Sequence, residues 1–147
     1  MFNVCMRMTN SREDAEDILQ DAFTDAFQNL DSFKRKSSFG AWLKRIVVNK
    51  CINAIKKRSV DLILTDTLNE AAEVKDIEFD NIDLKVEKVN KALTKLPDGY
   101  RLILTLYLFE GYDHQEISQI LNISESTSKS QYMRAKKKIK EIILRDE

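Results

Sequence analysis

Apolar side chains recur at three- and four-residue steps over most of this chain, and the interruptions divide it into helices. Ala15, Ile18, Leu19, Ala22, Phe23, Ala26, Phe27 and Leu30 form one such face, the repeat of an amphipathic helix. Ser11 stands before it as an N-cap, with Glu13 and Asp14 in the first turn where the helix dipole favours acids. The stretch FKRKSSF, residues 33–39, has no such period and reads as a loop. Beyond it Phe39, Trp42, Leu43, Ile46, Val47, Cys51, Ala54 and Ile55 make a second stripe. Residues 59–83 are polar and acidic with weak helical signals, which predicts a linker. The period resumes at Leu84 and runs through Val86, Val89, Ala92, Leu93 and Leu96 to a break at Pro97-Asp98-Gly99. The nearly all-apolar segment 100–109 then predicts a buried helix ended by Gly111.

Asp113-His114-Gln115-Glu116 has the form of a capping box and starts a short helix through Leu121. Asn122-Ile123-Ser124 makes a turn, and Ser124 caps a last, basic helix. Two helices joined this way form a helix-turn-helix. The chain is therefore expected to be all-α: two small helical domains, 1–58 and 84–147, joined by the acidic linker 59–83, with the helix-turn-helix in the second.

Composition supports this architecture. Three glycines and one proline in 147 residues argue against sandwiches, barrels and glycine-rich phosphate loops. No apolar run reaches the roughly 18 residues of a membrane span, and the first ten residues lack the pattern of a secretory signal. A cytoplasmic protein is expected. Cys5 and Cys51 have no CxxC or Cys/His cluster beside them, so free buried thiols are expected, with no metal and no cofactor.

Charge changes the picture, because a net charge of zero hides segregated blocks. Residues 11–31 carry seven acids against Arg12; residues 33–58 carry nine basic side chains and no acid; residues 59–83 carry eight acids against Lys75. Residues 127–140 then hold six basic side chains and no acid. Two anion-binding surfaces and an acidic surface for another partner follow.

On the second helix Arg45, Asn49, Asn53 and Lys56 recur on the side away from the apolar stripe, a row of amide and guanidinium donors suited to bases and phosphates. On the last helix Ser128, Tyr132, Ala135, Ile139 and Ile142 are expected to face inward. Thr127, Gln131, Arg134 and Lys138 are expected on the opposite side, with Ser126 and Ser130 on their flank. Glutamine can pair with adenine and arginine with guanine in the major groove, while Lys129, Lys136 and Lys137 suit phosphates. Backbone N–H groups at the helix start can also meet a phosphate. Duplex DNA is the ligand this chemistry fits.

The stretches EDAEDILQDAF (13–23), SFGAWLKRIVVNKCINAIKKR (38–58) and LPDGYRLILTLYLFEGYDHQEISQILNISESTSKSQYMRAKKKI (96–139) together resemble the extracytoplasmic-function (ECF) sigma factors of the sigma-70 family. The resemblance implies an RNA polymerase sigma subunit with region 2 at 1–58, lacking its leading helix, and region 4 at 84–147. It implies that Asp14, Asp17, Gln20 and Asp21 bind core polymerase. Lys34, Arg35, Lys36, Ser37 and Ser38 of the loop, with Arg45, Asn49, Asn53 and Lys56, would bind the minus-10 element and hold its unpaired strand. Ser126, Thr127, Lys129, Ser130, Gln131, Arg134 and Lys138 would bind the minus-35 element. An anti-sigma factor is a further implied partner.

Trp42 could stack on an unpaired base, yet its place in the apolar stripe favours a core role. Ser126 and Ser128 depart from the family, which often has glycine and a β-branched apolar residue there, so helix packing is expected to differ slightly. His114 reads as a surface or capping histidine, and no enzyme chemistry is indicated. The competing readings are a stand-alone helix-turn-helix repressor or activator and a protein-only adaptor using its acidic helices.

Overall fold

The computed structural model describes residues 1–58 and 86–146, and every described element is helical. The linker expected at 59–83, and Leu84 after it, lie outside the described residues. The chain divides into two compact units, Met1–Asp61 and Leu62–Glu147.

The first unit packs three helices: α1 Phe2–Thr9, α2 Arg12–Gln28 and α3 Phe39–Arg58. The apolar pattern had not marked α1, yet it buries Val4, Cys5 and Met8. Asn10 ends it in the left-handed conformation at φ 54°, its N–H donating to Met6 O, a conformation asparagine tolerates. Ser11 then caps α2 as expected, accepting from Asp14 N at 3.2 Å. The α2 face is narrower than its apolar residues suggested. Ala15, Ile18, Ala22 and Ala26 are buried, but Phe27 is 69% exposed and Leu30 47%. Phe27 falls about 100° round the helix from Ala26, and Leu30 lies beyond α2 in a 3₁₀ turn, Leu30–Ser32.

Helix α3 buries Leu43, Val47, Val48, Cys51, Ile52 and Ile55. Cys5 and Cys51 are both fully buried free thiols. A hydrogen bond between them holds the Cys5 pKa below the ordinary thiol value despite burial. At the end of α3, Arg58 donates to Thr9 O at 2.8 Å and pairs with Asp14 at 3.0 Å, closing the bundle at the α1–α2 turn.

The second unit contains α4 Val86–Lys95, α5 Asp98–Leu104, α6 His114–Leu121 and α7 Glu125–Arg145. Ala92, Leu93 and Leu96 pack with Leu104, Ala135, Ile139, Ile142 and Ile143. Val86, at the start of α4, is 73% exposed rather than part of that face. Arg101 is 3% exposed; it donates to Leu96 O at 2.8 Å and pairs with Asp98, so its buried charge is compensated where α4 meets α5.

The expected buried helix at 100–109 is present with two differences. It starts at Asp98, and at Thr105–Phe109 it widens into a π-helical turn in which Glu110 N reaches Thr105 O at 3.0 Å. The widening turns Leu108 out to 51% exposure and Phe109 to 36%. Leu102, Ile103, Leu104 and Leu106 stay fully buried, and at about 1.5–3 kcal/mol per side chain their burial anchors the segment. Gly111, at φ +74°, makes the left-handed exit expected of it.

Candidate nucleic-acid interface

In the first unit, Lys34, Arg35, Lys36, Ser37 and Ser38 form an exposed loop leading into α3. An aromatic triad holds both legs of this loop. Phe33 lies 5.7 Å from Phe39 and 5.2 Å from Trp42, and Phe39 lies 5.6 Å from Trp42. Trp42 is half-buried within the triad, neither a fully buried core residue nor a free platform. Arg35 occupies the left-handed region at φ 55°, a conformation uncommon for a long side chain. Ser38 caps α3, its hydroxyl accepting from Ala41 N at 3.2 Å and its carbonyl from Trp42 N at 3.1 Å.

Arg45, Asn49, Asn53 and Lys56 are all exposed on α3, the placement expected of them. Lys50 beside them pairs with Asp25 at 2.6 Å. On α2, Asp17, Gln20 and Asp21 are exposed. Asp14 differs, since it is half-buried and engaged by Arg58.

In the second unit the helix-turn-helix has the expected caps. Asp113 accepts from Glu116 N at 2.8 Å while Glu116 accepts from Asp113 N at 2.8 Å, completing the capping box of α6. Asn122 closes α6 at φ 55°, and Ser124 caps α7 by accepting from Thr127 N at 3.0 Å.

The faces of α7 require a correction. Ser128, Ala135, Ile139 and Ile142 are buried as expected, but Thr127 is 3% and Gln131 5% exposed. These two belong to the packed side rather than the opposite one. At about 100° per residue, Thr127 and Gln131 lie only about 80° and 40° from Ala135, so they flank the buried stripe. Thr127 also places its hydroxyl 2.7 Å from Ser124 Oγ. Ser126, Lys129, Ser130 and Lys137 form the exposed stripe, with half-exposed Met133 and Lys140 on it, Arg134 at its edge and half-exposed Lys138 nearer the buried side. Met133 and Lys140 were not among the expected contact residues, and counting from the buried stripe rather than from the basic residues finds them beside Lys137, which was expected on phosphates. Lys129 meets Glu125 at 3.1 Å, an exposed pair that costs little to break.

His114 is likewise not a plain surface residue. Its Nδ1 lies 2.9 Å from Ser128 Oγ, and its ring stacks on Tyr107 at 4.6 Å and 21°. Burial lowers its pKa, reinforced by Lys129 and opposed by Glu125 and Asp113.

Known proteins place this arrangement in a class. Sigma-70 region 2 matches residues 1–60, and Sigma-70 region 4 matches residues 87–139. The ECF RNA polymerase sigma-E factor of Escherichia coli K12 is 31% identical over 137 residues, covering 86% of this chain and 72% of that protein. The chain belongs to the ECF sigma factors of the sigma-70 family. It is thus an alternative sigma factor, a non-enzymatic initiation factor that binds core RNA polymerase and directs it to promoters. The ECF sigma factor SigW of Bacillus subtilis is 29% identical over 157 residues, covering 95% of this chain and 81% of that protein. A crystal structure of the sigma factor RpoE with the anti-sigma factor NepR from Bartonella quintana shares the fold, with a TM-score of 0.64 and 24% identity over 99% of this chain and 91% of that one. The stand-alone repressor reading is not favoured, because region 2 accounts for the first unit. Among the described residues no helix is long and apolar enough to cross a membrane.

Proposed function

We propose that the work of this sigma factor is divided among three surfaces. Residues 1–58 act as region 2, 59–83 as the linker and 84–147 as region 4. Asp17, Gln20 and Asp21 on α2 bind core polymerase, while Asp14 chiefly holds the bundle through Arg58. Lys34, Arg35, Lys36 and Ser37, with Arg45, Asn49, Asn53 and Lys56, bind the minus-10 element and retain its unpaired strand. Aromatic anchoring of the loop suits capture of a base that has left the stack. Ser38 contributes by starting α3 in register with the loop.

Helix α7 enters the major groove of the minus-35 element through Ser126, Ser130 and Arg134, with Lys129, Lys137 and Lys138 on phosphates. The single observation carrying this reading is that the α3 donors are exposed, and those of α7 exposed or half-exposed, beside buried apolar stripes on the same helices. The protein works in the cytoplasm, where polymerase and promoters are. An anti-sigma partner belongs to the proposal: the solved relative RpoE is held by one, and exposed Leu108 and Phe109 would give such a partner apolar anchors.

Permanganate footprinting, which reads unpaired thymines, and DNase I footprinting, which reads duplex protection, of holoenzyme on a promoter it transcribes together test this division. Asn49→Ala and Lys36→Ala should reduce minus-10 opening while upstream protection persists, and Arg134→Ala should remove upstream protection first. Equal loss of both signals from every variant would contradict separate surfaces.

A further inference from the structure

Beside the buried apolar residues of α6, the side chains joining α6 to α7 include a polar and aromatic knot. His114 is the first residue of α6 and Ser128 is fully buried in the first turns of α7; their Nδ1···Oγ separation is 2.9 Å. Tyr107, from the π-helical turn, stacks on the imidazole at 4.6 Å and meets Tyr132 of α7 at 4.4 Å. Tyr132 closes the ring of contacts by lying 5.5 Å from His114 at 63°, and Lys136 Nζ stands 5.3 Å from the Tyr132 ring. Three separate segments are thus fastened through one imidazole.

We infer that His114 is a positioning residue: its hydrogen bond to Ser128 and its stacking on Tyr107 set how α7 stands on α6, and thereby how the helix meets DNA. The inference rests on the reading of α7 as the minus-35 helix. It also explains the departure at Ser128. A β-branched apolar residue there would leave the part-buried Nδ1 without this partner. A hydroxyl satisfies it and fixes the ring's orientation.

The groups around the ring oppose one another. Lys129 from α7 disfavours a charged imidazole, while Glu125 from α7 and Asp113 of its own cap favour one. Tyr107 and Tyr132 supply neutral faces, and the Glu116 carboxylate is engaged by the Asp113 N–H. Burial and Lys129 prevail, so the folded pKa lies below the ordinary value of about 6.5. The contribution of neutral His114 to the fold is therefore complete above about pH 6.5 and is lost as pH falls through the folded value.

The test uses full-length protein with bacterial core polymerase and compares wild type, His114→Phe, His114→Asn, Ser128→Ala and the Phe/Ala double variant. Phenylalanine keeps the stacking without the hydrogen bond, whereas the asparagine amide can replace Nδ1. Promoter binding is expected to weaken about three- to tenfold for His114→Phe or Ser128→Ala at unchanged core affinity, with no further loss in the double variant. Asparagine, which keeps the hydrogen bond but not the stacking, should recover part of the affinity. In heat unfolding between about pH 5.5 and 8, only the variants retaining His114 should lose stability towards the acid end. Losses that multiply in the double variant, an asparagine variant as weak as phenylalanine, or a wild-type pH profile like that of His114→Phe would each overturn the inference. Should wild-type holoenzyme bind no selected promoter, the reading of α7 fails, and the same variant cycle in heat unfolding still decides whether His114 and Ser128 are coupled.

Discussion

Gln131 and Lys129 are both polar and two positions apart on α7, yet they have different work. Gln131 is 5% exposed and belongs to the packing of the second unit. Gln131→Ala should cost about 1–2 kcal/mol of local stability, seen as faster amide hydrogen exchange in α6 and α7, with little change in the promoter bases preferred. Lys129 and Lys137 are exposed. Replacing either with alanine should weaken binding across promoters alike and lower the salt slope by about 1; a changed base preference would contradict phosphate contact. Residue types and their three/four spacing were legible along this helix, but their angular origin was not. A polar row beside the buried stripe obeys the same spacing as one opposite it, and only packing decides between them. His114 was hidden for a related reason, because its partners Tyr107 and Ser128 come from other segments.

At the scale of elements, local chemistry was the most readable part of the chain. The caps at Ser11, Asp113 and Ser124 and the exit at Gly111 are made within a few residues of themselves, so neighbouring letters suffice to find them. The π-helical turn at Thr105–Phe109 and the outward turn of Leu108 depend on how the segment packs, which spacing does not encode. Ser124→Ala should destabilise the second unit by about 1 kcal/mol through loss of the α7 cap, measurable as a lower midpoint in heat unfolding.

Helix α2 carries the corresponding test for the first unit. Asp17→Ala should weaken core polymerase binding with stability unchanged. Asp14→Ala should lower stability by no more than about 1 kcal/mol, since its pair with Arg58 is partly exposed, and should weaken core binding less than Asp17→Ala does. The reverse order in a polymerase titration would move the docking surface towards the start of α2.

For the whole molecule, charge segregation was the clearest signal. A chain of zero net charge presents acid on α2 and base on α3 and α7, an arrangement suited to a factor that meets DNA while bound to an acid-seeking partner. Little net charge also limits trapping at nonspecific DNA, whose affinity is mainly electrostatic. The two domains were legible because each carries its own periodic core. Two separate DNA-binding faces are proposed to let this protein determine where polymerase starts.

The most direct test is transcription by bacterial core polymerase from a pool of randomised promoters, with and without the protein, followed by sequencing of the transcripts. New start sites sharing two spaced motifs are expected; the downstream motif should weaken with Asn49→Ala and the upstream one should disappear with Arg134→Ala. Start sites that do not change when the protein is added, while the protein alone binds one duplex sequence specifically, would contradict it.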